Sequence, residues 1–263
     1  MLKERRLDTS LDFKSLVRVK HGNKTHILGS GAFGDVYLTK HNQTQKFYAV
    51  KQMYKQRILE AGANFDIIYG EVDIHSRLIH ENIIKLFSFF EDDKCFYIIL
   101  EFSNSGTVFN LIKRSKGLTE DDAFKYFIQA AAAVHFIHEN NLVHRDIKPE
   151  NLLLDDQGVV KLCDFGWCVE MNMGNRQTFC GTYEYMAPEV IKEKPYNQSI
   201  DIWSLGILLY ELLHGYSPFR ARGSASSEQE EYNEIFKNII KYNFKIDKDL
   251  SDECKDLLIS EIF

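Results

Sequence analysis

The chain has 263 residues, of which 44% are hydrophobic and 27% charged, so it is long enough to bury a core in one or two domains. Its 38 acidic residues outnumber 32 basic ones, and the net charge of −6 argues against a generally basic binder of nucleic acids or membrane surfaces. Residues 1–13 lack the apolar segment of a signal peptide, and polar residues interrupt the longest apolar run, 200–213. We therefore expect neither a nucleic-acid nor a membrane partner.

The chain contains five cysteines: Cys95, Cys163, Cys168, Cys180 and Cys254. Their number is odd and no two of them form a CxxC pair, which favours reduced thiols over disulfides or zinc ligands. We expect an intracellular protein of the cytoplasm, the nucleus or both.

The first third of the chain has the pattern of β-strands. Apolar β-type runs occur at 26–28, 36–38, 47–53 and 96–100, and the first two flank a glycine-rich turn. Between the runs 47–53 and 96–100, apolar residues at helical spacing predict one helix around 65–79. The pattern indicates a β-rich lobe with a single long helix.

After Gly106 the pattern becomes helical. Thr119 is a predicted N-cap, and acidic residues fill the first turn of the helix that follows. That helix is predicted to bury Phe124, Phe127, Ile128, Ala131 and Val134. Further helices are predicted at 199–213, 228–240 and 251–262, so the sequence predicts an α+β protein with an N-terminal extension (1–25), a β-rich lobe (26–101) and a helical lobe (102–263).

The segment from Gly29 to Gly34 reads GSGAFG, a GxGxxG motif with two interpretations. In a dinucleotide-binding fold these glycines open a helix, and an acidic residue follows about 20 positions later. Here a β-type run follows and Tyr54 stands 20 residues after Gly34, so we favour a hairpin whose backbone N–H groups approach phosphate oxygens. Lys51, at the end of the next strand, is a candidate phosphate ligand, and Glu71 on the predicted helix is its candidate carboxylate partner.

Three ordered motifs identify a resemblance to a known family. HRDIKPEN begins at His144, DFG begins at Asp164 and APE begins at Ala187. Together with the glycine motif and Lys51 they resemble the signature set of protein kinases, over a region from about Leu28 to the chain end. The resemblance implies a bilobal kinase fold that uses ATP and Mg²⁺.

The resemblance also assigns roles in phosphoryl transfer. It implies that Lys51 holds the α- and β-phosphates, that Glu71 orients Lys51, and that Asp164 and Asn151 bind magnesium. It implies that Asp146 receives the proton of the attacking hydroxyl. The resemblance further implies that Lys148 neutralises the γ-phosphate and that Thr182 forms a hydrogen bond near Asp146 and Lys148. A lysine and a threonine at these two positions are typical of Ser/Thr kinases rather than Tyr kinases.

By the same resemblance, hydrophobic residues enclose the adenine, Leu100 is the gatekeeper, and backbone groups of Glu101 and Ser103 meet the adenine edge. The ATP site implied in this way comprises Leu28, Gly29, Ser30, Gly31, Ala32, Phe33, Gly34, Asp35, Val36, Ala49, Lys51, Leu100, Glu101, Ser103, Glu150 and Leu153.

Within the kinases, the chain resembles the Aurora family. Trp167 follows the DFG motif, and LEF (100–102), GTVF (106–109), EVDIH (71–75) and TFCGT (178–182) are similar to Aurora segments. The resemblance implies protein substrates, an activating partner on the N-lobe and spindle association. The pattern CGTxEYxAPE is also typical of AGC and calmodulin-dependent kinases, which remain the alternative subfamily.

Regulation and substrate choice follow from the same comparison. Thr178 is the implied activating phosphosite, and Arg145 is the residue that a phosphate there would contact. Glu150 and Glu211 match acidic positions that bind arginine upstream of the target Ser or Thr. An alternative of another class is a pseudokinase scaffold, which the presence of Lys51 and the other catalytic residues argues against.

The end of the chain carries one further expectation. In similar kinases a later segment supplies an arginine that pairs with the glutamate of the APE motif. Here the chain ends at Phe263, so we expect the helical lobe to be truncated and Glu189 to lack that partner.

Overall fold

The computed structural model describes residues 3–6, 11–22, 24–171, 181–221, 223, 227–246 and 249–261. The chain divides into two compact units, Met1–Asn104 and Ser105–Phe263, called below the N-terminal unit and the C-terminal unit. The first is built on a sheet and the second is mainly helical, which confirms the predicted α+β class.

The N-terminal unit contains nine strands and two α-helices among its described residues. In chain order these are β1 (Lys3–Arg6), β2 (Leu16–Arg18), β3 (Lys20–His21), β4 (Lys24–Thr25), β5 (Ile27–Ser30), β6 (Gly34–His41), β7 (Phe47–Tyr54), α1 (Lys55–Glu60), α2 (Asp66–Ser76), β8 (Leu86–Glu91) and β9 (Cys95–Glu101). The sequence predicted only α2, because α1 has just six residues and directly continues the apolar strand β7.

The described C-terminal unit contains four short strands and six α-helices. These are α3 (Val108–Ser115), α4 (Glu120–Glu139), β10 (Leu142–Val143), β11 (Leu152–Leu154), β12 (Val160–Leu162), β13 (Val169–Glu170), α5 (Pro188–Ile191), α6 (Ser199–His214), α7 (Glu228–Ile240) and α8 (Asp252–Asp256). A π-helical turn, Leu257–Glu261, continues α8. None of the helices described is both long and apolar enough to cross a bilayer.

The main sheet of the N-terminal unit is antiparallel and is covered on both faces. Its strand order is β1-β8-β9-β7-β6-β2, and β5 also pairs with β6. On β9, Phe96 and Ile98 pack into a core that includes residues of α1 and α2, while Tyr97 and Ile99 pack on the opposite face. Successive residues of a strand face opposite sides, so a sheet covered twice yields the continuous apolar run seen in the sequence.

The second face of the sheet is covered by the beginning of the chain. Leu11 is buried, and the ring of Phe13 lies 5.2 Å from Phe90 and 4.7 Å from Tyr97, measured between ring centroids. Residues 3–6 and 16–18 also form strands of this sheet. Part of the segment described above as an N-terminal extension therefore contributes to the core of this unit.

In the C-terminal unit, α6 is buried on nearly every side and packs against α4. Thr119 caps α4 as predicted, but the predicted buried face of α4 is partly wrong. Phe124 and Ile128 are 55% and 50% exposed. The buried positions begin one residue earlier, and a shift of one residue turns a helix face by about 100°. The buried residues of α4 are Ala123, Phe127, Ala130, Ala133, Val134 and Ile137.

Cys95, Cys163, Cys168 and Cys254 form no disulfide within the described part of the chain, and Cys180 lies outside that part.

The glycines of the GxGxxG hairpin differ in what they permit. A Cβ atom added to Gly34 would lie 1.9 Å from the carbonyl oxygen of Gln52, so the close approach of β6 to β7 requires glycine there. A Cβ at Gly29 would meet nothing within 4 Å. We expect Gly34→Ala to lower the free energy of unfolding by about 1–3 kcal/mol. Gly29→Ala, the matched control, should change it by less than about 1 kcal/mol in the same denaturant titration.

Candidate active site

In the N-terminal unit, Lys51 and Glu71 form an ion pair. Lys51 lies on β7 and Glu71 on α2, and the ammonium Nζ is 2.7 Å from the carboxylate Oε1. The Glu71 side chain is only 6% exposed, whereas that of Lys51 is 26% exposed. Because a buried carboxylate is stable only when it is paired, Glu71 fixes the position of the lysine.

The other residues assigned to ATP in this unit lie on four neighbouring strands, in the turn between two of them and just after β9. Leu28 is on β5, Val36 is on β6 opposite Lys51, and Ala49 is on β7 opposite Leu100 of β9. In the hairpin turn between β5 and β6, the Gly31 amide donates to the Gly34 carbonyl at 2.7 Å. Ser30 ends β5, Ala32 and Phe33 complete the turn, and Asp35 follows Gly34 on β6.

Glu101 ends β9 and Ser103 follows it, and the backbone groups of both residues are assigned to the adenine edge. The amide of Glu101 donates to the carbonyl of Lys85 at 2.8 Å. The hydroxyl of Ser103 is buried without a hydrogen-bond partner in the described part of the chain. Leu153, the remaining adenine residue, lies on β11 in the C-terminal unit.

In the C-terminal unit, four of the predicted catalytic and metal residues form one hydrogen-bonded cluster around Asp146. Lys148 Nζ lies 2.8 Å from Asp146 Oδ2 and donates to Thr182 Oγ1 at 2.7 Å. The Thr182 hydroxyl in turn donates to Asp146 Oδ1 at 3.1 Å, which closes a triangle of side chains. Asn151 Nδ2 donates to Asp146 Oδ2 at 2.9 Å and to the Asp146 carbonyl at 2.8 Å. The cluster fixes the carboxylate in one orientation.

Asp201, which the sequence analysis did not assign to the site, holds the loop that carries Asp146. Its carboxylate is fully buried near the start of α6. It accepts hydrogen bonds from the backbone amides of His144 (2.8 Å) and Arg145 (2.9 Å) and from the ring of His138 (2.9 Å). The signal in the sequence is an aspartate inside a long apolar run, because such a residue is buried and must have partners.

The backbone is strained at two of the motif residues. Arg145 and Asp164 have φ angles of +71° and +64°, which are unfavourable for residues with a side chain. Next to them, His144 is completely buried with its ring edge-on to Phe165, at 5.1 Å between centroids, and burial lowers its pKa. Arg145 and Asp164 keep these unfavourable backbone conformations because the surrounding contacts impose them.

Among the described residues, the Arg145 side chain donates to two neutral groups. Its Nε donates to the Trp167 carbonyl at 2.7 Å, and Nη1 donates to the Tyr196 hydroxyl at 3.0 Å. Thr178, the implied phosphosite, lies outside the described residues. Glu189 is half-buried and accepts a hydrogen bond from the Ser199 hydroxyl at 3.3 Å.

The two predicted substrate carboxylates have different surroundings. Glu150 is exposed, whereas Glu211 on α6 is mostly buried and accepts a hydrogen bond from the Tyr185 hydroxyl. Burial raises the pKa of Glu211 to about 7, and the nearby carboxylates of Glu150 and Glu184 act in the same direction. The pKa of Glu184 is likewise raised, chiefly by burial. These three glutamates make an acidic cluster, called below the Glu211 cluster.

The family assignment follows from comparison with known proteins. The family model described as "Protein kinase domain" matches residues 23–262. The chain therefore belongs to the protein kinase domain family, and the resemblance inferred from its motifs is confirmed.

Within that family, the chain is similar to Aurora kinases. It is 40% identical over 232 residues to an Aurora kinase of Dictyostelium discoideum, and the match covers 88% of this chain and 58% of that protein. For an Aurora kinase of Schizosaccharomyces pombe the identity is 38% and the coverage 88% and 63%. For the serine/threonine-protein kinase Aurora-2 of Arabidopsis thaliana the values are 37%, 88% and 79%. The chain thus spans less than two thirds of the first two relatives.

We expect Asp201→Asn to destabilise the C-terminal unit. The amide that replaces one carboxylate oxygen cannot accept a hydrogen bond, so a buried donor of the 144–145 backbone or His138 is left without a partner. The expected loss is about 1–3 kcal/mol of unfolding free energy, measured by denaturant titration. Asp156→Asn, at an exposed position, is the control, and equal losses in both variants would contradict this assignment of Asp201.

Proposed function

We propose that this chain is the catalytic domain of an Aurora-like kinase that transfers the γ-phosphoryl group of ATP to serine or threonine hydroxyls of proteins. The observation that carries the proposal is the closed triangle of Asp146, Lys148 and Thr182. It combines an oriented carboxylate that accepts a proton with a cation that faces a transferred phosphoryl group.

The residues present fit the cofactors that this activity needs. Gly29 and Gly31 leave open space beside the hairpin, since a Cβ at Gly31 would meet only the Gly34 carbonyl, at 3.8 Å. Asp164 and Asn151 offer hard oxygen ligands. No group of three or more His, Cys, Asp or Glu side chains that suits a metal occurs among the described residues. The oxygen atoms of Asp164 and Asn151 suit magnesium, which is commonly held by one or two side chains together with phosphate oxygens.

Each of these residues then has a separate task in phosphoryl transfer. Bound magnesium supplies positive charge that stabilises the phosphate oxygens. Lys51, fixed by Glu71, binds phosphate oxygens from the N-terminal unit. Asp146 orients the substrate hydroxyl and takes its proton, while Lys148 stabilises the charge on the transferred group.

We further propose that the substrates carry arginine before the phosphorylated residue. The Glu211 cluster supports this proposal, because it concentrates carboxylates that can pair with a guanidinium group in bidentate geometry. Burial and neighbouring carboxylates raise the pKa values of Glu184 and Glu211, so a bound arginine would stabilise their ionised forms, in addition to Arg220, which already acts on Glu184.

We also propose that phosphorylation of Thr178 regulates activity. Arg145 supports this proposal, since the two groups that accept from its guanidinium among the described residues are both neutral and do not compensate its charge, which a phosphate can bind. The arginine belongs to the same strained loop as Asp146, so a phosphate that binds it acts directly on the catalytic loop.

The proposed activity is tested by incubating the 263-residue chain with ATP, Mg²⁺ and matched Ser, Thr and Tyr peptides that carry upstream arginine. We expect phosphorylation of the Ser and Thr peptides, and a loss of about 10²- to 10⁴-fold in kcat for Asp146→Asn. Mass spectrometry of the chain reports phosphate at Thr178. Nucleotide binding without any transfer would contradict the proposal and favour a scaffold.

The arginine preference is expected to depend on pH. The pKa of Glu211 is raised to about 7, so the carboxyl is neutral below this value and ionised above it. The kcat/KM ratio of an Arg peptide to its Arg→Gln counterpart should therefore rise as the pH increases from 6 to 8. Glu211→Gln should flatten this rise, and an unchanged slope in the variant would exclude Glu211 as the arginine ligand.

A further inference from the structure

Three polar side-chain contacts, at positions 71, 75 and 69 of helix α2, join it to described residues of other elements of the N-terminal unit or the segments between them. Glu71 pairs with Lys51 at 2.7 Å, and the ring of His75 donates from Nε2 to the Ile84 carbonyl at 2.7 Å. The third contact joins Tyr69 of α2 to Glu91 of β8: the Tyr69 hydroxyl lies 3.1 and 3.2 Å from the two carboxylate oxygens. The family motifs do not include this third contact.

The environment of Glu91 makes the third contact strong. Glu91 is only 7% exposed, so its carboxylate is stable only with partners. Lys55, the first residue of α1, supplies a cation 2.8 Å from Oε2, and Tyr69 supplies the neutral donor. The Tyr69 hydroxyl donates to the carboxylate, and desolvation together with Glu91 raises the pKa of the phenol.

Aromatic rings pack against this ion pair, although Tyr69 itself is 40% exposed. The ammonium group of Lys55 lies 4.6 Å from the centroid of the Phe96 ring and 5.7 Å from that of Phe65. The Tyr69 ring packs edge-on against Phe96 and Phe89, at 5.7 and 6.1 Å. The cation–π contacts of Lys55 and the burial of Glu91 both strengthen the ion pair. We call Tyr69, Glu91 and Lys55 the α2 anchor.

The anchor and the Lys51 contact restrain different sides of one helix. Residues 69 and 71 are two positions apart, so the helix turns by about 200° between them and they lie on nearly opposite sides of its axis. Fixing both sides opposes rotation of α2 about its axis, and such a rotation would remove Glu71 from Lys51. We propose that Tyr69, through Glu91 and Lys55, is a positioning residue that holds Glu71 on Lys51. As a statement about catalysis this rests on the proposed kinase function.

The first test measures the Lys51–Glu71 pair without relying on catalysis. Acetic anhydride labels a lysine amine when its ion pair opens, and mass spectrometry reports the rate at Lys51. Tyr69→Phe keeps the ring and removes the hydroxyl, so we expect labelling of Lys51 to be about fivefold faster. Tyr126→Phe, on α4 of the C-terminal unit, is the matched control and should leave the rate unchanged.

A double-mutant cycle separates positioning from a general effect on the fold. In a Glu71→Gln background the pair is already lost, so Tyr69→Phe should add no further change in Lys51 labelling, although it still lowers the melting temperature. An unchanged labelling rate in the single variant, or an equal increase in both backgrounds, would overturn the proposal.

Phosphoryl transfer gives the second readout. We expect Tyr69→Phe to lower kcat/KM for ATP about fivefold in the wild-type background and to have no added effect beside Glu71→Gln. Failure of the wild-type chain to phosphorylate any peptide would count against the proposed function alone, because the labelling cycle still decides the role of Tyr69.

Discussion

The arrangement of the C-terminal unit depends on one buried carboxylate. Asp201 is inaccessible to water on an almost wholly apolar helix, and its charge is compensated by two backbone amides and a histidine ring. Because both amides belong to the loop before Asp146, the need to satisfy Asp201 determines where that loop runs. The left-handed backbone of Arg145 is the conformational cost of this arrangement.

In the N-terminal unit, buried carboxylates likewise fix the position of their partners, which here are lysines. Glu71 and Glu91 are buried carboxylates on α2 and β8, and each is paired with a lysine from the β7–α1 segment. The apolar cores on the two faces of the sheet supply stability, whereas Lys51–Glu71 directly, and Lys55–Glu91 through Tyr69, specify the position of α2. In both units, partners that a buried charge requires give the site residues their fixed geometry.

The features that could be predicted from the sequence are those that depend on short motifs. The strands flanking the glycine hairpin, the cap at Thr119 and the cluster around Asp146 involve residues whose spacing or type is visible in the sequence. The buried face of α4 was predicted one position away, because an alanine-rich helix offers two apolar registers and only packing with α6 selects between them. Asp201 and the α2 anchor escaped prediction because their partners are 56 or more and 22 or more residues away along the chain.

The most direct test of this account is amide hydrogen exchange at the backbone N–H groups of His144 and Arg145 in the wild-type chain. If both amides are bonded to Asp201, they should exchange as slowly as the core amides of α6, although they lie in a loop. Exchange as fast as that of amides in exposed turns would show that Asp201 does not hold the catalytic loop, and would contradict the account.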